Sequence, residues 1–273
     1  MPELPEVETV RRQLAAIAGV RWESVEARPS SLFRTPAAEV TRRLTGLALE
    51  GVERRGKVLV LLFEGAEALL VHLGMSGQVL LAPPARPAPG HQHLLVALAD
   101  GRRLVFRDPR RFGFIRLARR DEIAGLKELA NVGADPLEPF FTWDRFAGTL
   151  RGKAGEIKPL LVGQKAFAGI GNVYADEILH QARVRPDRAA SDLTPVEQKD
   201  LYHAIRSVLA TAIEHGGTSF DEGYLDLFGR PGLYGARLRV YGCDGEPCHA
   251  CHTPLRLARD GGRSTVYCPH CQK

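Results

Sequence analysis

Two pairs of cysteines near the end of the chain constrain its fold more than any other feature. They follow the spacing Cys248-x2-Cys251-x16-Cys268-x2-Cys271, which is typical of a zinc ribbon with four thiolate ligands. Each pair fits a tight turn, and two such turns complete a tetrahedron around one Zn²⁺ ion. Four protein ligands leave no open coordination position, so we expect one structural zinc ion rather than a catalytic one. The remaining cysteine, Cys243, is expected to be a free thiol.

The segment between the two cysteine pairs predicts a β-hairpin. Residues 255–258 and 264–267 form the expected strands, and Asp260-Gly261-Gly262 between them is a turn sequence. Arg263 is expected close to the tip of this hairpin. Three histidines interleave with the cysteines, and we expect them to be solvated or to lie outside the ligand shell: His249, His252 and His270.

Composition indicates a globular protein. Hydrophobic residues make up 44% of the 273 residues and charged residues 25%, which excludes disordered, collagenous and coiled-coil chains. No apolar run approaches the ~18 residues that a membrane span requires. The acidic start of the chain is interrupted by proline and does not have the pattern of a secretory signal. We therefore expect a soluble, cytoplasmic protein.

Positive charge is unevenly distributed along the chain. Residues 1–130 carry 20 basic and 15 acidic side chains, residues 131–229 carry 10 and 14, and residues 230–273 carry 7 and 3. A basic beginning and a basic end joined by an acidic middle fit a polyanion held between two lobes. The net charge of +5 does not by itself specify nucleic acid.

The first half of the chain predicts a helix followed by antiparallel strands. Apolar residues at steps of three and four predict an amphipathic helix from Leu4 to Ile17, and Gly19 ends it. Asp100-Gly101 is typical of a type I′ hairpin turn, and residues 82–90 form a proline-rich loop. The predicted strands are Val20–Ala27, Val58–Phe63, Ala68–Leu73, Leu94–Ala99, Arg102–Arg107 and Phe114–Leu117. We expect an α+β multidomain protein that begins with a helix-capped antiparallel β-sandwich.

The second half changes to a helical pattern. Residues 132–136 are typical of a linker. Thr194-Pro195-Val196-Glu197 is a capping box with proline at the first helical position, and the helix that it opens ends at Gly216-Gly217. Short strands return near residue 237 around the cysteines. We predict a β-sandwich domain at 1–131, a helical domain at 137–236 and a zinc finger at 237–273.

The first residues of the chain are candidates for covalent catalysis. Met1 precedes the small residue Pro2, so we expect its removal, which would leave Pro2 with a free secondary amine. An α-amine has a pKa near 8 and lysine one near 10.4, so far more of the α-amine is neutral at pH 7. A helix N-terminus disfavours its protonation further, and Glu3 and Glu6 are available for acid–base chemistry. Proline and glutamate are also common in an ordinary first helical turn.

Several segments, in the same order along the chain, resemble the bacterial formamidopyrimidine-DNA glycosylase family. They are MPELPEVETVRR at the start, RRGK at 54–57, HLGMSG at 72–77, DPRRFG at 108–113, QKAFAGIGNVYADE at 164–177 and the zinc ribbon ending in CPHCQK. The endonuclease VIII type is similar in architecture, but Leu4 and the DPRRFG segment favour the purine-specific branch. The resemblance implies a bifunctional enzyme that excises 8-oxoguanine and formamidopyrimidines from duplex DNA and then cleaves the strand at the abasic site.

The resemblance also implies roles for individual residues. Pro2 would be the nucleophile that forms a Schiff base with C1′ of the damaged nucleotide. Glu3 would donate a proton at the sugar during ring opening. Lys57 would be the proton donor linked to β-elimination and would contact a phosphate. Arg263 would serve δ-elimination and hold a phosphate, on a hairpin that zinc stabilises.

Further residues match DNA-contacting positions of the family. Met75, Arg110 and Phe112 match a trio that fills the space left by the extruded base, although core packing is the ordinary alternative for the methionine and the phenylalanine. The resemblance places Asn172 in a helix–two-turn–helix phosphate binder, where Gly169-Ile170-Gly171 would expose backbone N–H groups and Asn172 would cap the helix. His91 and Lys153 match further DNA contacts, with surface exposure as their alternative.

Two other functions stay open from the sequence. The chain could be an endonuclease VIII-like glycosylase for oxidised pyrimidines, or a zinc-ribbon protein that binds DNA without catalysis. The resemblance places a flexible loop over the extruded base at 216–234, which we call the lesion loop, and the glycines of this segment agree with mobility. We expect the protein to be a monomer that binds double-stranded DNA with oxidised bases and associates with the bacterial nucleoid through it.

Overall fold

A computed structural model describes residues 1–83, 90–220, 223–260 and 262–273. Most of the predicted proline-rich loop, part of the predicted lesion loop and the middle of the predicted Asp260-Gly261-Gly262 turn therefore lie outside the described residues. The chain forms two compact units. The first contains residues 1–130 and 213–235, and the second contains residues 131–212 and 236–273.

The first unit is a β-sandwich with a helix at its start. Two four-stranded antiparallel sheets have the orders β1-β6-β7-β5 and β2-β3-β4-β8. Its helices are α1 (Leu4–Leu14) and α2 (Ala37–Leu44). Its strands are β1 (Trp22–Ala27), β2 (Leu49–Arg55), β3 (Val58–Phe63), β4 (Glu67–His72), β5 (Gln78–Ala82), β6 (Gln92–Leu98), β7 (Arg103–Arg107) and β8 (Phe114–Arg119). The predicted helix-capped sandwich is confirmed.

The core of this unit lies between the sheets and beneath α1. Val7, Val10 and Leu14 present the buried stripe of α1, as their spacing of three and four residues predicts. Trp22 and Phe63 meet edge to face with ring centroids 4.6 Å apart, so their apolar area is removed from water in a favourable aromatic geometry. This core fixes α1 and the strand ends that carry the site residues.

In the first unit the structure differs from the sequence prediction in three elements and one turn. Strands β2 and β5 and helix α2 are absent from the prediction. Asp100-Gly101 does not form a type I′ turn, because only Gly101 has a positive φ, at 84°. Leu98 and Arg102 instead close a three-residue loop in which the Gly101 N–H donates to the Leu98 carbonyl over 2.9 Å. The single left-handed glycine of such a loop replaces the two left-handed residues that a type I′ turn needs.

The second unit contains four helices and the terminal hairpin among its described residues. The helices are α3 (Trp143–Leu150), α4 (Ile157–Val162), α5 (Asn172–Gln181) and α6 (Pro195–Glu214), whose last two residues belong to the first unit. The predicted capping box of α6 is confirmed, since the Glu197 N–H donates to Thr194 Oγ1 over 3.3 Å and the Thr194 N–H donates to Glu197 Oε2 over 2.8 Å. Strands β9 (Arg256–Asp260) and β10 (Arg263–Tyr267) form the hairpin.

Two further observations complete the fold. Residues 213–235 pack with the first unit, whereas the sequence prediction groups them with the helical domain. Among the described residues, no helix has the length and apolarity that crossing a membrane requires.

Candidate active site and DNA-contacting residues

The N-terminal segment is buried at the start of α1. Met1 is half exposed, but Pro2 is buried and Glu3 is only 2% exposed. Glu3 is the residue that precedes the helix, and its N–H donates to Glu6 Oε2 over 2.7 Å. This bond holds the backbone next to Pro2 at the positive end of the helix dipole. The Glu6 carboxylate, which the sequence analysis offers for acid–base chemistry, therefore fixes the backbone of the Pro2-Glu3 segment.

The second oxygen of Glu6 binds a distant part of the chain. The Thr218 N–H donates to Glu6 Oε1 over 2.7 Å. Gly217 has a φ of 83°, and a Cβ at this residue would lie 2.6 Å from Glu6 Oε1, so only glycine fits. The carboxylate thus joins the N-terminal segment to the beginning of the predicted lesion loop.

The described part of that loop is anchored to the first unit. Gln13 Oε1 accepts from the Leu227 N–H over 2.9 Å, and Gln13 Nε2 donates to Asp226 Oδ2 over 2.9 Å. Tyr224 and Leu227 are buried in the sandwich core. A Cβ at Gly232 would lie 2.4 Å from the Gly217 carbonyl oxygen, so this glycine permits close backbone packing. The glycine content of the loop predicts mobility, but in its described part Gly217 and Gly232 permit close packing.

Lys57 lies in the two-residue turn between β2 and β3 and is half-buried. Arg54, whose side chain is 6% exposed, donates to the Gly56 carbonyl over 2.8 Å and to Glu8 Oε2 over 3.1 Å. Burial raises the pKa of Glu8, but hydrogen bonds from Arg11, Arg12 and Arg54 outweigh it and bring the pKa to about 2. The Lys57 turn and the Pro2 segment are therefore both fixed to α1.

The three predicted wedge residues lie on two turns of the first unit. Met75, between β4 and β5, is 40% exposed, and Phe112, between β7 and β8, is 56% exposed. The Arg110 guanidinium lies over the Phe112 ring, 4.8 Å from its centroid. Their exposure excludes the core-packing alternative for Met75 and Phe112. His91 is also exposed and has a φ of 59° in the loop before β6.

His72, at the end of β4, supports the turn that carries Met75. Its Nδ1 accepts from the Gly74 N–H over 3.1 Å, and its ring stacks on Phe114 with centroids 5.4 Å apart. Burial lowers the pKa of His72 to about 4, and the charge of Lys57 acts in the same direction. The imidazole is therefore neutral at physiological pH. The sequence prediction gives His72 no role of its own.

In the second unit, Asn172 contacts the hairpin that carries Arg263. Asn172 Nδ2 donates to the Ser264 carbonyl over 3.0 Å, next to the exposed Arg263 at the start of β10. The predicted asparagine cap is wrong, because Gly171 precedes the helix and Asn172 is its first residue. Asn172 Oδ1 is buried with no hydrogen-bond partner among the described residues. Lys153 is exposed after α3.

A buried ion pair also supports this hairpin, and the sequence analysis does not predict it. Lys158 Nζ lies 2.6 Å from Asp176 Oδ1 and donates to the Ser264 carbonyl over 2.9 Å and to Thr265 Oγ1 over 2.7 Å. Burial raises the pKa of Asp176 to about 6 against the opposing charge of Lys158. The sequence carries one indication of this ion pair. Lys158 lies within the apolar stretch IKPLLV, and a lysine is rarely buried without a partner.

The four predicted zinc ligands converge. The Sγ atoms of Cys248, Cys251, Cys268 and Cys271 all lie within 4.8 Å of one another, and two pairs are 4.0 and 3.5 Å apart. A tetrahedral site with Zn–S bonds of ~2.3 Å needs sulfur atoms ~3.8 Å apart, so the donor set fits zinc. When bound, the ion supplies a structural cross-link. The cluster found among the described residues contains cysteines only, which agrees with the prediction for the three histidines.

Two side chains near the cluster have other contacts. His180 Nε2, at the end of α5, lies 3.6 Å from Cys248 Sγ. The two residues are 68 positions apart in the sequence, so no local pattern indicates this contact. Cys243 Sγ points to the Tyr241 carbonyl at 3.7 Å and lies outside the four-cysteine cluster, and burial raises the pKa of its thiol.

Comparisons with known proteins agree with this geometry. The family model "Formamidopyrimidine-DNA glycosylase N-terminal domain" matches residues 1–115, its H2TH domain matches 132–222, and "Zinc finger found in FPG and IleRS" matches 245–273. Formamidopyrimidine-DNA glycosylases of Heliobacterium modesticaldum and Pelotomaculum thermopropionicum are 42% and 41% identical, and each comparison covers all of this chain and 100% and 99% of the relative.

Solved structures show the same likeness. The MutM (Fpg) protein from Thermus thermophilus is 40% identical with a TM-score of 0.88, covering 99% of this chain and 98% of that one. A Lactococcus lactis protein in complex with Fapy-dG-containing DNA is 34% identical with a TM-score of 0.92, covering 100% of both chains. Fold and site thus define a zinc-finger DNA repair glycosylase for oxidised purines, which is favoured over the pyrimidine-directed and the non-catalytic alternatives.

The chain belongs to the formamidopyrimidine-DNA glycosylase family. The predicted family, fold class and structural zinc are therefore confirmed.

Proposed function

We propose that the protein removes 8-oxoguanine and formamidopyrimidines from duplex DNA through Pro2 and then cleaves the strand at the abasic site. The observation that carries this proposal is the buried Pro2-Glu3 segment, which Glu6 fixes at the positive end of α1. A solved relative from Lactococcus lactis is in complex with DNA containing Fapy-dG, and another complex of that protein contains an abasic site. These are the substrate and the intermediate of the proposed reaction.

The chemistry requires a free amine at Pro2. While Met1 is attached, the Pro2 nitrogen is an amide and is not nucleophilic, so Met1 must be removed first. The neutral amine then attacks C1′ of the everted deoxyribose, and the bond from C1′ to the base breaks with its electron pair leaving on the base. After the attack the Pro2 nitrogen carries a positive charge and its proton, and it passes that proton to the departing base. Glu3 then donates a proton to the ring oxygen of the sugar as the ring opens, which leaves an iminium between Pro2 and C1′.

Strand cleavage follows from the iminium. It acidifies the proton on C2′, and loss of that proton expels the 3′ phosphate by β-elimination. A second elimination expels the 5′ phosphate. We assign Lys57 to proton transfer in the first elimination and Arg263 to the second, with both side chains contacting phosphates. A guanidinium suits this role because its planar donors match phosphate oxygens.

Base extrusion needs side chains that occupy the vacated space. Met75 and Phe112 are exposed on adjoining turns, and Arg110 covers the Phe112 ring. We assign these three residues to the wedge that replaces the extruded base in the stack. His91, Lys153 and Asn172 complete the proposed DNA contacts. We further propose that the protein acts as a monomer in the cytoplasm, where it associates with the nucleoid through DNA.

Borohydride trapping tests the nucleophile. Protein whose N-terminus is shown by mass spectrometry to start at Pro2 should form a covalent adduct with 8-oxoguanine duplex when the imine is reduced. The matched control is the same chain with Met1 retained, which should give no adduct. An adduct that peptide mass spectrometry locates at a residue other than Pro2 in the processed protein would exclude Pro2 as the nucleophile.

Glu3→Gln and a substrate comparison test the rest of the assignment. Glu3→Gln should abolish base release, and unchanged glycosylase activity would remove Glu3 from the mechanism. Duplexes with 8-oxoguanine and with thymine glycol should be compared side by side, and faster excision of thymine glycol would favour a pyrimidine-directed enzyme. Absence of cleavage on every lesion would favour a protein that only binds DNA.

A further inference from the structure

The two turns that carry the proposed wedge are joined by one carboxylate and one hydroxyl. Ser76 Oγ donates to Asp108 Oδ1 over 2.6 Å. The second carboxylate oxygen, Asp108 Oδ2, accepts from the Gly113 N–H over 2.9 Å. The same Ser76 hydroxyl accepts from the Arg110 N–H over 3.2 Å. We call this set of three hydrogen bonds the wedge clip.

Each hydrogen bond of the wedge clip involves a proposed wedge residue or the residue that directly follows one. Ser76 follows Met75 directly, and Gly113 follows Phe112 directly. The third bond uses the backbone of Arg110 itself. The clip therefore fixes the backbone that carries all three wedge side chains and leaves those side chains available to meet DNA.

Asp108 is suited to serve as the fixed end of the clip. It is completely buried, and a buried carboxylate persists only when its oxygens are hydrogen-bonded. Its backbone is fixed as well, because its N–H donates to the His91 carbonyl over 3.2 Å and its carbonyl lies 3.1 Å from His93 Nε2. A short hydrogen bond to an ionised acceptor is stronger than one between neutral groups, which favours a rigid arrangement.

The backbones of the two turns are also in close contact. A Cβ at Gly74 would lie 2.4 Å from the Gly113 nitrogen, and Gly74 itself has a φ of 59°. This close approach brings the turns together, and the hydrogen bonds of the clip hold them in register. The two turns are therefore packed as one body rather than as independent loops.

We propose that Ser76 and Asp108 are positioning residues that hold Met75, Arg110 and Phe112 in the arrangement needed for insertion into the stack. The inference rests on the proposed function, since it assumes that these three side chains fill the space of an extruded base. Insertion costs less when its side chains are already arranged, because ordering them during the reaction would add to the barrier.

The test uses Ser76→Ala, which removes the shared hydroxyl, and Ser76→Thr, which retains it. The matched control is Ser24→Ala, at an exposed serine of β1 in the same unit. Single-turnover excision of 8-oxoguanine and the fluorescence of a 2-aminopurine next to the lesion report base release and wedge insertion. Cleavage of a duplex with a preformed abasic site reports the later steps, for which no base has to be extruded.

Ser76→Ala removes two of the three hydrogen bonds of the clip, so we expect it to slow insertion and excision at least about 10-fold. Ser76→Thr should stay within about 2-fold of the parent protein, and Ser24→Ala should be unchanged. Cleavage of the abasic duplex should fall much less than excision. An equal loss on both substrates would overturn the proposal, since it would indicate a general structural role, and so would an unchanged excision rate.

Hydrogen exchange separates this inference from the proposed function. In DNA-free protein, Ser76→Ala should accelerate exchange in segments 74–77 and 108–113 and leave β1 unchanged. Unchanged exchange in those segments would show that no clip exists, whatever the enzyme does. If Phe112→Ala excises 8-oxoguanine at the normal rate, the wedge assignment fails instead, and positioning of the wedge by Ser76 and Asp108 fails with it.

Discussion

Substituting Gly217 by alanine should disturb both the N-terminal segment and the lesion loop. Gly217 has a φ of 83°, and the added Cβ would lie 2.6 Å from Glu6 Oε1. The backbone around it is fixed by the Tyr234 N–H, which donates to the Gly217 carbonyl over 3.0 Å. The Glu6 carboxylate must therefore move. Its movement would weaken the bonds that it accepts from Thr218 and Glu3, each 2.7 Å long.

The loss of stability caused by Gly217→Ala can be worked out by comparison with a second glycine, Gly229. Gly229 has a φ of 78°, but no atom lies within 4 Å of a Cβ built on it. Alanine in the left-handed region costs about 1 kcal/mol at either position. Only Gly217→Ala also weakens the two hydrogen bonds that Glu6 accepts, a loss of about 2 kcal/mol in total. Gly217→Ala should therefore destabilise the first unit by about 2 kcal/mol more than Gly229→Ala.

Urea unfolding and single-turnover excision measure the two effects. The chain has two tryptophans, and a Trp143→Phe background leaves Trp22 as the fluorescent reporter inside the sandwich core. In this background Gly217→Ala should also slow excision of 8-oxoguanine about 10-fold or more, because the Pro2-Glu3 segment loses its hydrogen bond. Equal stability and equal excision rates for the two glycine variants would refute the coupling through Glu6.

Three further predictions concern acid stability, zinc and phosphate contact. The pKa of Glu8 falls from an ordinary value of 4.5 to about 2, so its ionised form contributes about 3 kcal/mol above pH 4.5 and this is lost towards pH 2. Urea unfolding between pH 6 and pH 3 should show about 2 kcal/mol of this loss, and Glu8→Gln should flatten it. Cys251→Ser should lower zinc content and DNA affinity together, measured by metal analysis and titration, whereas Cys243→Ser should change neither. Arg263→Ala should weaken DNA binding and reduce the slope of log affinity against log salt by about 1, and an unchanged slope would exclude a phosphate contact.

Elements with a strong local pattern could be predicted from the sequence. The apolar stripe of α1 and the capping box of α6 are local signals, and the structure reproduces both. The cysteine spacing predicted the zinc site for the same reason. Strand β2 was missed because Glu53, Arg54 and Arg55 make its second half highly charged. Its pairing with β3 is set by the buried Leu49 and Val52 and by the tertiary fold.

The supporting residues of the site could not be predicted in the same way. Glu6 and Thr218 are separated by 212 residues, and Lys158 and Thr265 by 107. Such pairs become neighbours only in the folded chain, so no local periodicity marks them. The resemblance implied which residues act on DNA, whereas the structure identified those that hold them, namely Glu6, Asp108 and Lys158.

The Glu6 carboxylate binds both the Glu3 N–H and the Thr218 N–H, and this limits how the specificity for damaged bases can be redesigned. Redesign of the segment that begins at Gly217 can vary its central residues, but the backbone at its two ends must keep its spacing from α1. Libraries should therefore retain Gly217, Thr218 and Gly232 and randomise the exposed Phe220 and Phe228. A replacement segment that changes these three retained residues would alter base selectivity and turnover together, and the two effects could not be separated.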